Sequence, residues 1–251
     1  MTIIYTIVFF LYGLVFGSFF NVVGLRVPLK ESIVKPPSHC PNCQYRLRAS
    51  DLIPVASYLF LRGKCRSCGT QIRKIYPLME LVTGLLFALS YVAIGLEWEL
   101  VIALLFVSLL VIITVSDLAY MLIPDKVLLP FALALFLLRL WVPLDPWWDS
   151  LLGAIVGFGV LFFIALVSKG GMGGGDIKLF FVLGLALGTV QTLVTLFLAA
   201  LIGTVIGFIS LKRAGQGRKT PIPFGPSIAL SAIIVYFYGE KMISTYMKWF
   251  F

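Results

Sequence analysis

Four acids stand within or beside those ends of this chain's apolar stretches that are expected to face the cytoplasm: Glu80, Asp117, Asp125 and Asp176. Charge at membrane depth is expensive, so each is a functional candidate by default. Asp117 closes one apolar run in VSDLAYMLIPD and Asp176 opens another in GMGGGDIKL, which sets both at one depth. Two carboxylates brought face to face cannot both ionise easily. They share a proton, and one then acts as base toward a water while the other polarises a scissile carbonyl. The chain has a single histidine and neither a GxSxG nor an HExxH motif, so peptide hydrolysis by carboxylates is the route its residue types allow. Two acids in one bundle equally suit cation binding or proton relay. The glycines of GGMGGG have two readings of their own. Without Cβ atoms, residues 173–175 let a substrate backbone approach and let the chain enter a helix at an unusual angle, with the helix dipole favouring an ionised Asp176. Alternatively they form a hinge and Asp176 is an N-cap.

The second constellation is four cysteines, HCPNC at 39–43 and CRSCG at 65–69, with 21 residues between the knuckles. Each tight turn aims two sulfurs at one tetrahedral ion, so Cys40, Cys43, Cys65 and Cys68 are expected to bind structural zinc. Paired disulfides or redox dithiols are the alternative, which a cytoplasmic location disfavours. A polar segment of about 50 residues with few large aliphatics needs such a staple. His39 is redundant beside four cysteines and is read as a loop residue.

These groups must be positioned by membrane helices. The chain is 60% hydrophobic and 12% charged, against roughly 25% charged in soluble domains. Apolar runs lie near 2–24, 77–95, 98–116, 127–142, 150–168, 177–189, 191–211 and 225–239, as expected for an all-α polytopic membrane protein of about eight transmembrane helices. The organisation expected is a first transmembrane helix over 1–24, a small cytoplasmic zinc-binding domain over 25–76 and a multi-helix membrane domain over 77–251. The first run is long, lightly charged at its start and not followed by a small-residue cleavage site, so it is read as a retained helix.

The net charge is +9, but its distribution indicates a bilayer rather than nucleic acid. Ten basic residues, Arg26 through Lys74, lie between the first two spans, and more lie at Lys126, Lys169, Lys178, Lys212, Arg213, Arg218 and Lys219. The alternate loops carry Glu97, Glu99, Asp145 and Asp149. The positive-inside rule then places 25–76 and the loops near 117–126, 168–178 and 212–224 in the cytoplasm. Arg139 is expected to snorkel at an outer helix end; Lys241 and Lys248 in the tail are the other exceptions. Lys178 and Lys212 share a side, so about 33 residues, some 50 Å of helix, must cross twice where two full crossings need about 60 Å. The helix beginning at Asp176 is therefore expected to be short, with its turn at Gly188 and Thr189; a re-entrant hairpin fits nearly as well.

GMGGGDIKL resembles the GxGD signature of intramembrane aspartyl proteases. Joined with VSDLAYMLIPD, the two CxxC knuckles, FGSFFNVVGLRVP at 16–28 and PIPFGP at 221–226, it resembles the type IV prepilin peptidases from about residue 10 to 235, and the competence-pseudopilus subtype is compatible. The resemblance implies an enzyme that cuts the short basic leader from prepilin-like proteins on the cytoplasmic side and then methylates the new amino terminus with S-adenosylmethionine. It carries the catalytic roles to Asp117 and Asp176 and the metal-site roles to Cys40, Cys43, Cys65 and Cys68. Asp125, after the proline of the IPD turn, is read as a structural or supporting residue that caps the following helix. Methyl transfer rests on the resemblance alone, and no cofactor-binding residue is assigned.

Other polar positions keep two readings. Glu80 in YPLMELVTG either serves methyl transfer or pairs with Arg73 or Lys74. Asn21 and Arg26 either satisfy backbone groups or line a cofactor site. Lys178 is read as an interfacial anchor, PIPFGP as a rigid helix-start turn, and Gly203 and Gly207 as close helix packing. A carboxylate-lined transporter and a non-catalytic assembly factor with a zinc domain are the rival classes. The oligomeric state and the identity of the substrates are not legible.

Overall fold

The computed structural model describes residues 1–168, 171–214 and 223–250. Among these, helices follow in the order α1 (Thr2–Arg26), α2 (Ala56–Phe60), α3 (Ile75–Ile94), α4 (Trp98–Tyr120), α5 (Asp125–Trp141), α6 (Asp149–Val167), α7 (Gly174–Leu187), α8 (Thr189–Ala214) and α9 (Gly225–Phe250). No strand occurs among the described residues, only two isolated bridges. Six helices, α1, α3, α4, α6, α8 and α9, are long and apolar enough to cross a membrane, so the chain is a multi-pass membrane protein. The expected runs at 127–142 and 177–189 form α5 and α7, of 17 and 14 residues. At 1.5 Å per residue these reach about 26 and 21 Å, short of a hydrocarbon core of about 30 Å.

The chain divides into two compact units, Met1–Val115 and Ser116–Phe251. In the first, α1 and α3 lie against each other along a seam of small residues. A Cβ on Gly13 would come within 2.7 Å of the Gly84 Cα, and one on Gly17 within 2.9 Å of the Glu80 Cα. Close backbone approach of this kind is how membrane helices gain packing energy without a hydrophobic drive. Phe9 and Tyr91 stack across the same seam, ring centroids 5.1 Å apart. Where α1 stops and α3 starts, the Asn21 amide donates to the Tyr76 carbonyl at 3.1 Å, and Arg26 donates to the Ser32 and Pro36 carbonyls. Both residues thus satisfy backbone groups.

In the second unit α6 and α7 meet at Gly153 and Gly184, where a Cβ on either would overlap the other's backbone. The Ser150 hydroxyl adds a 2.6 Å bond to the Leu185 carbonyl. Gly188, at φ +79°, caps α7, and α8 starts at Thr189. The short helix and its turn fall where the crossing arithmetic predicts them, although α7 begins two residues before Asp176. Asp149, the first residue of α6, accepts from the Thr189 amide and hydroxyl and so caps α8.

Arg139 departs from expectation. It does not snorkel: it is buried, 6% exposed, and donates to the Ala186 carbonyl at 2.6 Å. A cation against the last carbonyls of α7 satisfies groups the helix leaves orphaned and complements the negative end of its dipole. Gly203 does permit close packing, against the Phe224 ring. Lys169, Arg218, Lys219, Pro221 and Ile222 lie outside the described residues.

Candidate active site and metal centre

Asp117 occupies the last turn of α4 and is buried. Its Oδ2 accepts the main-chain N–H of Gly225, the first residue of α9, at 2.7 Å. The helix ends just beyond, at Met121, whose φ of +52° is uncommon for a side-chain-bearing residue. The Met121 amide bonds back to the Asp117 carbonyl and the Ser116 hydroxyl to the Leu122 carbonyl at 2.5 Å, so the loop folds under the helix end. Pro124 then caps α5.

Asp176 lies in the first turn of α7, half-buried, with Gly173 as N-cap. It is therefore not the cap itself. The glycines before it act through size. A Cβ on Gly175 would come within 2.8 Å of the Ile123 Cβ, whereas one on Gly174 would meet open space. Gly173 is extended, with φ −68°. Gly175 thus lets the loop after Asp117 close on the start of α7, and the two carboxylates come within electrostatic reach of each other.

Asp125 is the first residue of α5 and makes no cap hydrogen bond. Instead both its oxygens take the Lys178 ammonium, at 2.9 and 2.7 Å. Capping is replaced by a link between α5 and α7, and Lys178 becomes a tie between helices rather than an interfacial anchor.

Glu80 pairs with neither Arg73 nor Lys74. Its Oε2 accepts the Val55 N–H at 2.8 Å, holding a β-branched residue at φ +59°, a costly conformation that needs an outside partner.

The four cysteines converge. All four sulfurs lie within 4.8 Å of one another, with Cys40–Cys68 at 3.8 Å and Cys43–Cys65 at 3.9 Å. Four sulfurs about 2.3 Å from a central ion stand about 3.8 Å apart, so the cage fits a tetrahedral metal such as zinc. The knuckles are copies in hydrogen bonding. Cys40 N bonds Tyr45 O and Gln44 N bonds Cys40 O; Cys65 N bonds Thr70 O and Gly69 N bonds Cys65 O. Gln44 and Gly69 both adopt positive φ to close them. The Thr70 hydroxyl and amide lower the Cys68 thiol to about 6. At Cys43 the Tyr45 amide favours the thiolate, but burial and three neighbouring sulfurs push it up to about 11. Four thiols crowded this way share negative charge poorly without a cation. His39 stays outside the cluster, its Nδ1 beside the Pro37 carbonyl.

Nearby, Asp51 accepts from Arg66 at 2.8 Å and from the Arg48 amide at 3.1 Å, tying the second knuckle to the 3-10 turn Ala49–Leu52. Burial pushes this carboxyl up, but the amide and the guanidinium outweigh it and hold it below its ordinary value.

Sequence reasoning missed Gly225 as a partner of Asp117. The signal was present in the glycine before the last proline of PIPFGP, since proline is tolerated in the first turn of a helix and so marks its start.

Fold and site define an all-helical, multi-pass membrane protein with two acids gathered at helix ends in one unit and a four-thiol metal cage in the other. The chain matches the Type IV leader peptidase family over residues 104–208 and the Bacterial Peptidase A24 N-terminal domain over 11–94. It is 44% identical over 241 residues to a prepilin leader peptidase/N-methyltransferase of Bacillus subtilis (strain 168), covering 96% of this chain and 97% of that one. Proteins of the same name from Pseudomonas aeruginosa and Neisseria gonorrhoeae are 37% and 35% identical, covering 95% and 89% of this chain and 92% and 87% of their own. No solved structure matches it. The chain belongs to the type IV leader peptidase family.

Proposed function

We propose that the protein is a membrane aspartyl endopeptidase that removes the short basic leader from prepilin-like proteins at the cytoplasmic face and methylates the amino terminus it exposes. The observation that carries the peptidase reading is the convergence of Asp117 and Asp176, from the end of α4 and the start of α7, on one glycine-lined spot. In this reading the ionised carboxylate takes a proton from water as its oxygen attacks the scissile carbonyl carbon. The protonated partner donates to the carbonyl oxygen. As the tetrahedral adduct collapses and the C–N bond breaks, the carboxyl that took the water proton gives it to the leaving nitrogen, and a hydroxyl of the adduct returns a proton to the other carboxylate.

S-adenosylmethionine, when bound, supplies an electrophilic methyl group. One feature of the first unit fits such a ligand: Asn21 Oδ1 is buried with no hydrogen-bond partner, an acceptor that an amino group satisfies. Asn21 would hold the donor there. The four cysteines bind zinc, and the basic 25–76 segment lies against anionic headgroups, orienting the enzyme rather than gripping a basic leader. α5 and α7 complete eight crossings as short spans.

The test is cleavage of a purified prepilin-like substrate in liposomes by wild type, Asp117→Asn and Asp176→Asn. Asparagine keeps size but cannot exchange the proton. Each variant is expected to lose cleavage by about 10²- to 10⁴-fold, while still methylating a pre-cleaved peptide. Wild-type cleavage by both variants would end the peptidase reading.

A further inference from the structure

We propose that the main-chain amide of Gly225 is the positioning group for Asp117, holding Oδ2 so that Oδ1 is the oxygen free to act and Asp117 is the base of the pair. The inference rests on the reading of Asp117 as a catalytic carboxylate and gives the PIPFGP segment a part in the chemistry.

Three consecutive residues build the contact. Phe224 anchors the turn, its ring lying where a Cβ on Gly203 of α8 would come within 2.7 Å. Gly225 presents its N–H to Asp117 Oδ2 at 2.7 Å. No other residue fits, because a Cβ there would lie 2.8 Å from Oδ2 and 2.9 Å from the Asp117 Cβ. Pro226 follows with φ already set for the helix, and the Ile228 amide returns to the Phe224 carbonyl at 3.1 Å. The donor thus sits at the positive end of a 26-residue helix, where amide and dipole both favour a charged carboxylate.

The surroundings make the pair unequal. The titratable group facing Asp117 is Asp176 on α7. Asp125 at the start of α5 is occupied by Lys178 of α7, and the first turn of α9, GPSI, carries no charge. Both acids lie against a helix start, Asp176 in the first turn of α7 beside Gly173 of its own loop. Of the two, Asp117 is the one that accepts a main-chain N–H from another helix, which makes it the base of the pair and leaves Asp176 to donate.

Glycolic acid at position 225 turns the Phe224–Gly225 amide into an ester, which deletes the N–H and weakens the Phe224 carbonyl as an acceptor for the Ile228 amide. We expect kcat for cleavage to fall about tenfold or more with KM within about twofold, and the acid limb of the pH–kcat profile to move up by about one unit. The sign follows because losing a donor to the charged form makes that form harder to reach. The same exchange at Ile228 removes an ordinary helix bond and should leave the limb in place. Gly225→Ala, which drives a methyl into the carboxylate, should lose more activity than the ester. If the two esters behave alike, or the 225 ester loses activity through KM with no movement of the limb, the turn is merely structural and the proposal fails. Asp117→Asn separates the two readings. Full cleavage by that variant removes the catalytic role itself, whereas an inactive variant beside a normal 225 ester removes only the positioning role.

Discussion

Asp125 and Lys178 show how a short motif hides its use. Eight residues separate Asp125 from Asp117, which suggests a helix cap, yet its carboxylate reaches across to α7. Both side chains are about half exposed, 55% and 53%, so the pair adds only about 0–1 kcal/mol to stability. Its effect lies in where it holds α7. Lys178→Met and Asp125→Asn are each expected to leave thermal stability within about 1 kcal/mol while lowering cleavage severalfold. The exchange of both, Asp125→Lys with Lys178→Asp, should recover most of the loss. Steady-state kinetics on the four proteins decides it, and singles that cut normally would dismiss the tie. At this scale the sequence discloses acids and cysteines, because their chemistry resides in side chains. It marks Gly225 only through the proline that follows, and it cannot disclose the Val55 amide, whose contribution is main-chain, nor the burial of Arg139, which depends on where a distant helix ends.

The two knuckles form one element only when joined, since each brings two sulfurs and neither has a core of its own. One zinc per chain is expected by elemental analysis. A strong chelator, or Cys65→Ser, should release it and open 30–74 to protease, because structural zinc contributes about 10–16 kcal/mol of apparent binding energy. Normal protease resistance in the metal-free protein would show that Asp51, Arg66 and the loop bonds suffice. The knuckles were legible because their spacing is dictated by the ion. The length of α7 was legible from charge parity alone. The seams at Gly13, Gly17 and Gly84 and at Gly153 and Gly184 were passed over, since four-residue glycine spacing is easily lost inside an apolar run and gains meaning only when the facing helix is known.

For the whole molecule, composition was the plainest signal: an apolar chain of net charge +9 with its bases between alternate spans. That asymmetry predicts an outcome for reporter fusions. Alkaline phosphatase joined after Gly95 or Trp148 should be active outside the membrane, and joined after Leu47 or Met121 inactive. Activity after Leu47 would invert the topology and put the acids on the wrong face. What composition did not reveal is the division at Val115 and Ser116, because α4 runs through it as one unbroken apolar helix.

The unequal fastening of α7 carries a mechanical consequence. Its far end is bolted by Arg139, Ser150 and the Gly153–Gly184 overlap, and its middle is packed as well, with Phe180 fully buried and its carbonyl against Gly157. The first turn, which carries Asp176, is held by a solvent-screened ion pair and the Ile123 contact. Helix ends open at the least cost. The motion that shifts this carboxylate most cheaply is therefore a rearrangement of that one turn, with the body of α7 staying in place as an anvil.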